Sequence, residues 1–352
     1  MKRIGFTFAL AFVACAAQAQ LPPGPKVTIT MATQPGPGLP QFSKVDVPML
    51  REDVPKKSGG RVEIKLASWP EMSLNGPEVI RLVRSGQVDI GAAPLATVSG
   101  DVPFLDAVDL AGLNPTIDVA RKVAAAIVPL ANKELERTGT RIIAVYPFPA
   151  QVFFCKTPVK SLADLKGKKV RTHGGSLNDL MSAIGAQPVA IGFPEVYSAL
   201  DKGVADCAIT GTSSGNGAKW YEVTSSLYTL PVGWAIAGYF VNINWLSKLD
   251  PAVREFLLAT MRQVEEAQWA LGREATSDGI ACNSGNASSC KIGTLVSAKP
   301  MSVSQPTDAD RETVRKLLSE KVLPAWVQRC GARCGDVFNE HIAPIAGVKY
   351  EK

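Results

Sequence analysis

The stretch from Leu162 to Asp206 constrains the fold of this chain most strongly. Lys168 to Arg171 reads as a strand, Gly175 to Ile184 as a helix, and Ala205 to Thr210 as a second, buried strand. Strands that alternate with helices predict an α/β fold whose sheets are mostly parallel, and such sheets hold ligands at the carboxyl ends of their strands. Arg171 stands at that end, and its guanidinium offers a planar fork of donors that matches a carboxylate. The pattern therefore predicts a site for a small organic acid.

The first third of the chain repeats this alternation. Val27 to Met31 and Arg61 to Leu66 are predicted strands, Pro77 to Ser85 is a predicted helix that Gly86 ends, and Val88 to Ala92 is the next strand. The loop Gln34 to Gly38 follows the first strand, and it is either a ligand contact or a plain turn. The order predicts right-handed crossovers in a mostly parallel sheet.

The length of 352 residues suits two lobes rather than one. We expect residues 26–148 with about 234–250 to form lobe I, and 149–233 with part of 282–352 to form lobe II. Two crossings between the lobes would make a hinge. Apolar residues at helical spacing predict a long helix over 251–281 that spans both lobes. The final segment, Asp308 to Ala343, is expected to hold one or two helices that Pro324 interrupts.

The first residues predict export. Lys2 and Arg3 precede an apolar run, and Ala17-Gln18-Ala19 is a small-x-small cleavage site, so residues 1–19 are predicted to be a signal peptide. The alternative is a lipoprotein modified at Cys15, which is less favoured because Phe12 stands where leucine is usual. No later segment is long and apolar enough to span a bilayer.

Six cysteines remain beyond the predicted cleavage site. In an oxidising compartment an even number favours disulfides. The short spacings favour the pairs Cys282–Cys290 and Cys330–Cys334, which leaves Cys155 with Cys207. A four-cysteine zinc site is the alternative, although the spacings lack the paired short knuckles that usually form one.

Several function classes are disfavoured. The net charge of +6 is scattered among acidic residues without a basic stripe, so no nucleic-acid partner is expected. Only His173 and His341 are available, which disfavours a histidine-rich metal centre, and we expect no cofactor. Neither Ser176 nor Cys155 lies in a nucleophile elbow, and the glycine-rich stretch 211–217 lacks the Gly-Lys-Ser/Thr of a P-loop. We therefore expect a binding protein rather than an enzyme.

Six motifs, in order, resemble those of the DctP-type solute-binding proteins of TRAP transporters. They are Lys57-Ser58-Gly59-Gly60-Arg61-Val62-Glu63-Ile64, Arg84-Ser85-Gly86-Gln87-Val88-Asp89-Ile90-Gly91, Asp164-Leu165-Lys166-Gly167-Lys168-Lys169-Val170-Arg171, Ala199-Leu200-Asp201-Lys202-Gly203-Val204-Ala205-Asp206, Lys219-Trp220-Tyr221-Glu222-Val223 and Val241-Asn242-Ile243-Asn244-Trp245. The resemblance implies a two-lobed periplasmic-binding-protein-like fold and a periplasmic location. It also implies capture of a small organic acid for delivery to a TRAP-type membrane permease.

The resemblance also implies site residues. The family's carboxylate-binding arginine matches Arg171. Many members carry a second arginine about twenty residues earlier, where this chain has Gln151. Many also carry an asparagine after the V-D pair, so Thr210 or Thr212 would supply that hydrogen bond here.

Four further residues are candidates because they adjoin the motifs or the strand ends. His173 would be either a loop residue or a polar ligand contact, and the aromatic residues Phe193, Trp220 and Trp69 would wall the cleft. Two alternatives for function stay open: an exported receptor for a sensor or another importer, and an exported hydrolase or isomerase of organic acids.

Overall fold

Two β-sheets flanked by helices build the protein, whose computed structural model describes residues 21–351. The predicted signal peptide and the Cys15 alternative lie outside the described residues. The strands are β1 Val27–Ala32, β2 Val62–Ala67, β3 Ile90–Pro94, β4 Thr140–Tyr146, β5 Gln151–Cys155, β6 Lys169–Thr172, β7 Gln187–Ala190, β8 Cys207–Gly211, β9 Ser226–Tyr228, β10 Ala237–Asn242 and β11 Ser302–Ser304. The predicted two-lobed α/β fold is confirmed.

Both sheets are mixed rather than mostly parallel. The first has the order β2-β1-β3-β10-β4, in which β1 pairs parallel with β2 and β3 while β10 runs antiparallel to both neighbours. The second has the order β11-β9-β5-β8-β6-β7, in which β5 runs antiparallel to β8 and β9. The antiparallel strands β5 and β10 are those that directly follow a crossing, because the chain enters each sheet from the other half of the molecule.

The two crossings lie side by side. Phe148 N–H donates to the Trp234 carbonyl at 2.9 Å, Gln151 N–H to the Gly233 carbonyl at 2.9 Å, and Val232 N–H to the Gln151 carbonyl at 3.0 Å. Paired connecting strands of this kind are a hinge candidate. We call the half with the first sheet lobe I and the half with the second sheet lobe II.

Helices cover both sheets. The α-helices are α1 Asp53–Lys57, α2 Val79–Ser85, α3 Leu95–Val98, α4 Ile117–Glu136, α5 Gly175–Ala183, α6 Val196–Asp201, α7 Thr212–Gly217, α8 Ile243–Lys248, α9 Pro251–Asn283, α10 Asp308–Leu317, α11 Leu323–Cys330, α12 Ala332–Val337 and α13 Ala343–Ala346. Shorter 3-10 helices occupy Pro70–Met72, Pro103–Val108, Leu162–Leu165, Phe193–Glu195 and Trp220–Glu222, and π-helical segments occupy Gln41–Glu52, Leu318–Val322 and Phe338–Ile342.

The long helix α9 connects the lobes. Pro251 occupies its first turn, and the Asp250 carboxylate caps it by accepting the backbone N–H groups of Ala252 and Val253. It contacts β4 in lobe I and α7 in lobe II. Among residues 21–351, no helix combines the length and the apolar character that crossing a bilayer requires.

The sequence patterns did not predict α4, β4, β7, β9 or β11. The final segment holds four α-helices, α10 to α13, instead of the one or two expected, and Pro324 does not interrupt it as predicted. The helical path runs on from Asp308 to Cys330, because the π-helical turn Leu318–Val322 comes immediately before this proline and accommodates its missing N–H. The final segment contacts both lobes: α10 packs on α5 of lobe II, whereas α13 packs on α4 of lobe I.

A glycine lets α2 pack onto the first sheet. A Cβ atom at Gly91 in β3 would lie 2.7 Å from Val79 and 2.8 Å from Val83, both on α2. The helix ends at Gly86, which adopts φ 76° as a left-handed C-cap. This close packing fixes β3 against α2, and just after β3 the Thr97 hydroxyl meets lobe II by donating to the His173 carbonyl.

All three predicted disulfides are present. Cys155–Cys207 joins residues that face each other on β5 and β8, Cys282–Cys290 closes the turn after α9, and Cys330–Cys334 joins α11 to α12. The zinc alternative is wrong, because all six of these sulfur atoms are engaged in disulfide bonds. The one metal-like cluster in the described part of the chain, Asp278 with Cys282 and Cys290, contains two bonded sulfurs, and Asp278 accepts backbone N–H groups of the same turn.

Candidate functional site

A cavity of about 620 Å³ lies between the carboxyl ends of the strands of the two lobes. Lobe I contributes residues that follow β1, β2 and β3, among them Pro35, Trp69 and Ala96. Lobe II contributes residues at the ends of β6 and β8, including Arg171 and Thr210. The position agrees with the rule that open α/β sheets bind ligands outside the carboxyl ends of their strands.

Arg171 is held rigidly in the wall of this cavity. Its Nε donates to the Ile191 carbonyl and its Nη1 to the Ile209 carbonyl, each at 2.9 Å. The guanidinium carbon lies 5.9 Å from the ring centres of Phe193 and Trp220. Nη2 makes no hydrogen bond with any described residue, so part of the fork stays available to a ligand.

The burial of Arg171 strengthens its attraction for an anion. The side chain is 2% exposed, and desolvation lowers its pKa to about 9, so the group remains a cation at neutral pH. A buried cation without a fixed acidic partner attracts an anion strongly, because water screens it poorly. Arg171 can therefore bind a carboxylate through Nη2 and the second proton of Nη1.

His173 follows directly and lines the same cavity. Burial, and secondly the charge of Arg171, lower the pKa of its imidazole to about 3, so the ring is neutral at pH 7. Neither ring nitrogen hydrogen-bonds to another residue of the described chain, and the backbone carbonyl accepts the Thr97 hydroxyl of lobe I at 3.3 Å. The ring thus offers one donor and one acceptor without charge.

Uncharged polar residues surround the end of β8. Gln151 lines the cavity and donates from Nε2 to the Pro149 carbonyl at 2.8 Å. Thr210 lines the cavity as well, and the Ser214 hydroxyl is buried there without a hydrogen-bond partner among residues 21–351. Because a buried hydroxyl without a partner is unfavourable, a polar ligand atom at this position would gain from it.

Of the three aromatic candidates, two line the cavity and one packs behind the lining. Trp69 and Phe193 line the cavity, and the Trp69 indole N–H is fixed by the Ala92 carbonyl at 3.0 Å. Trp220 does not line it. This residue is fully buried behind Phe193, with ring centres 5.2 Å apart, and it meets Phe154 edge to face at 5.7 Å. Trp220 therefore supports the wall instead of touching a ligand.

Thr212 also lies away from the cavity. As the first residue of α7, it donates its hydroxyl to the Ala275 and Thr276 carbonyls of α9, at 3.2 and 2.9 Å. These bonds attach lobe II to the long helix. Of the two threonines that the sequence offered, the structure brings only Thr210 to the cavity.

Sequence reasoning missed an acidic residue in the cavity wall. Asp106 is 2% exposed, and its carboxylate accepts the Ser176 N–H at 3.2 Å and the Ser176 hydroxyl at 3.3 Å. Arg329 Nη2 lies 3.8 Å away and forms a two-pronged pair with Asp179, at 3.0 and 2.7 Å. Burial raises the pKa of Asp106 to about 7, although Arg329 and Ser176 oppose the shift. No motif marked these residues, because they come from three distant segments.

The family model DctP, described as bacterial extracellular solute-binding protein, family 7, matches residues 31–322. The chain belongs to this family. The recognition made from the sequence motifs is thus confirmed, and the members of the DctP family are extracytoplasmic solute receptors.

Among curated DctP-like proteins, the chain is 28% identical over 209 residues to the 2,3-diketo-L-gulonate-binding periplasmic protein YiaO of Escherichia coli K12. That match covers 58% of this chain and 63% of YiaO, less than two thirds of the relative's length. The sialic acid-binding periplasmic protein SiaP of Vibrio cholerae is 25% identical over 204 residues, which cover 57% of this chain and 62% of SiaP.

Solved structures share the DctP fold over almost their whole length. A TRAP periplasmic solute-binding protein from Desulfovibrio salexigens with bound orotic acid superimposes with a TM-score of 0.79 at 22% identity, covering 91% of this chain and 100% of that one. DctP6 of Bordetella pertussis, an extracytoplasmic solute receptor that binds pyroglutamic acid, gives a TM-score of 0.78 at 23% identity, covering 90% and 99%. At these identities the likeness establishes the fold.

Proposed function

We propose that this protein captures a small organic acid in the periplasm and delivers it to a TRAP-type membrane permease. The observation that carries the proposal is that part of the buried Arg171 guanidinium has no partner among the described residues and lines the cavity between the lobes. Trp69 and Phe193 would cover the apolar part of the acid, and His173, Gln151 and Thr210 would orient its polar groups.

Similar proteins support the chemistry of this ligand. Orotic acid and pyroglutamic acid, which two structural neighbours bind, and 2,3-diketo-L-gulonate, which gives YiaO its name, all carry a carboxylate. An arginine fork is the usual protein partner of such a group. We therefore assign the carboxylate of this protein's ligand to Arg171.

Contacts across the cleft support a mechanism of closure. The Thr97 hydroxyl of lobe I donates to the His173 carbonyl of lobe II, and Asn75 of lobe I donates to Glu195 of lobe II at 3.2 Å. A ligand shifts the protein toward such a closed form only if it binds that form better than the open one. The carboxylate would provide this preference, because Arg171 is dehydrated most completely when the lobes meet.

A thermal-shift screen of the mature protein against organic acids tests the proposal. An acid at one hundred times its dissociation constant should stabilise the fold by about 2.7 kcal/mol, and Arg171→Ala should abolish the shift. Lys169→Ala is the matched control, because it removes a cation from an exposed position on the same strand. Failure of every acid to bind, or an acid that stabilises Arg171→Ala as well as the parent protein, would refute the carboxylate assignment.

Delivery to a permease needs a separate test. Uptake of the labelled acid by intact cells should require both this protein and the TRAP-type membrane subunits. Uptake that continues without this protein would contradict the transport role, and chemical conversion of the acid by the purified protein would instead support the enzyme alternative.

A further inference from the structure

We propose that the cavity selects acids with a single negative charge whose second polar group is neutral, and that it rejects dicarboxylates. This inference rests on the proposed function and names its substrate class. It follows from the charges that line the cavity and from the partners those charges already have.

Of the described residues that line the cavity, three carry a formal charge: Arg171, Arg329 and Asp106. Arg329 is already occupied, since both of its terminal nitrogens bind the Asp179 carboxylate and one lies close to Asp106. Arg171 is bound only to neutral backbone carbonyls. Among the described residues that line the cavity, Arg171 is therefore the one cation without an acidic partner, and it can neutralise one carboxylate.

The neighbouring polar groups add no second cation. His173 lines the same cavity two residues after Arg171, and the charge of Arg171 opposes a second positive charge on its imidazole. Gln151, Thr210 and Ser214, which surround the end of β8, are neutral donors and acceptors. Their spare capacity suits a hydroxyl, a carbonyl or an amide of the ligand.

A second carboxylate at this neutral end would be unfavourable. A second carboxylate there would lose hydration without gaining a cationic partner, and neutral donors compensate that loss less than a cation does. Asp106 would repel such a carboxylate further whenever it is ionised, because it lines the same cavity. The apolar wall of Trp69, Phe148 and Phe193 instead fits an uncharged body between the two polar ends.

The first experiment measures dissociation constants by calorimetry for a panel of mono-, di- and tricarboxylates. The panel includes pyroglutamate, orotate, and pairs in which a dicarboxylate is matched with its own monoamide, such as isophthalate with 3-carbamoylbenzoate and succinate with succinamate. We expect the tightest ligand to be a monoanion, and the monoamide to bind at least tenfold more tightly than its dicarboxylate wherever either member binds. A di- or tricarboxylate as the tightest ligand would overturn the inference while leaving the proposed function intact. If no acid binds, the proposed function itself fails.

A variant tests the cause. Gln151→Lys introduces a cation at the neutral end, and it should shift the preference toward the dicarboxylate of a matched pair by at least tenfold. Gln151→Met, which is of similar length and uncharged, is the control for loss of the polar contact: it should weaken binding of both members of a pair without making the dicarboxylate the tighter ligand. An unchanged preference in a folded Gln151→Lys variant, judged by its melting temperature, would show that charge does not set the selectivity.

Discussion

Replacing Asp106 by asparagine should change how the stability of the protein depends on pH. Asp106 is buried, and its pKa is raised from an ordinary value of 3.8 to about 7 by loss of hydration. Between these two values the folded protein binds the proton more tightly than the unfolded chain does. The free energy of unfolding of the parent protein therefore falls as pH rises through this window, and it stops falling above about pH 7.

The size of the effect follows from the shift. A difference of about three pKa units corresponds to about 4 kcal/mol at 1.36 kcal/mol per unit, which we take as an upper bound. Asparagine has nearly the same shape and does not ionise. The free energy of unfolding of Asp106→Asn, relative to the parent protein, should therefore rise by up to this amount between pH 4 and pH 8.

Urea unfolding at five pH values between 4 and 8 measures this difference. Asp101→Asn is the control, because Arg81 pairs with Asp101 through both oxygens and lowers the pKa of that carboxyl below its ordinary value of 3.8. The stability that this pairing gives is complete above the ordinary pKa and is lost as pH falls below it. The difference in free energy of unfolding between Asp101→Asn and the parent protein should therefore stay nearly constant between pH 4 and pH 8. Parallel pH curves for Asp106→Asn and the parent protein would refute our account of Asp106.

Two further predictions concern covalent and steric constraints. Replacing both cysteines of a disulfide by alanine should lower the free energy of unfolding more when the disulfide closes a longer loop. The expected loss is about 4 kcal/mol for Cys155–Cys207, which are 52 residues apart, about 2.5 kcal/mol for Cys282–Cys290, 8 apart, and about 2 kcal/mol for Cys330–Cys334, 4 apart. A different order in denaturant titrations would contradict loop entropy as the cause. Gly217→Ala should weaken ligand binding while leaving the melting temperature of the ligand-free protein nearly unchanged, because the added Cβ would lie 2.5 Å from the Gly38 carbonyl oxygen of the other lobe and hinder closure. Unchanged affinity would show that this contact does not limit closure.

Local patterns predicted most of the elements that carry the site. The helix at 175–184, the strands predicted at 168–171 and 205–210, and the long helix from Pro251 all lie within a few residues of their predicted bounds. Periodicity and glycine stops determine such elements locally. The antiparallel entry of β5 and β10 could not be predicted in this way, because it depends on where the chain crosses between lobes.

The candidate site was predictable only where one segment carries it. Arg171 and His173 belong to one motif and share the cavity. Thr210 and Thr212 are two residues apart, yet the start of α7 turns Thr212 toward α9, and sequence spacing alone did not separate their roles. Asp106 and Arg329 meet only after the C-terminal helices fold back over lobe I. Contacts between segments more than two hundred residues apart leave no local signal.

The most direct test of the central claim compares an acid with its methyl ester. The tightest acid from the panel and its ester should be titrated into the parent protein and into Arg171→Leu. Because removing one partner of a buried charge pair costs about 3 to 5 kcal/mol, we expect the parent protein to prefer the acid by at least about one hundredfold. In Arg171→Leu the preference should vanish while the ester still binds, which also shows that the cavity is intact. A preference for the acid that persists without Arg171 would contradict the account.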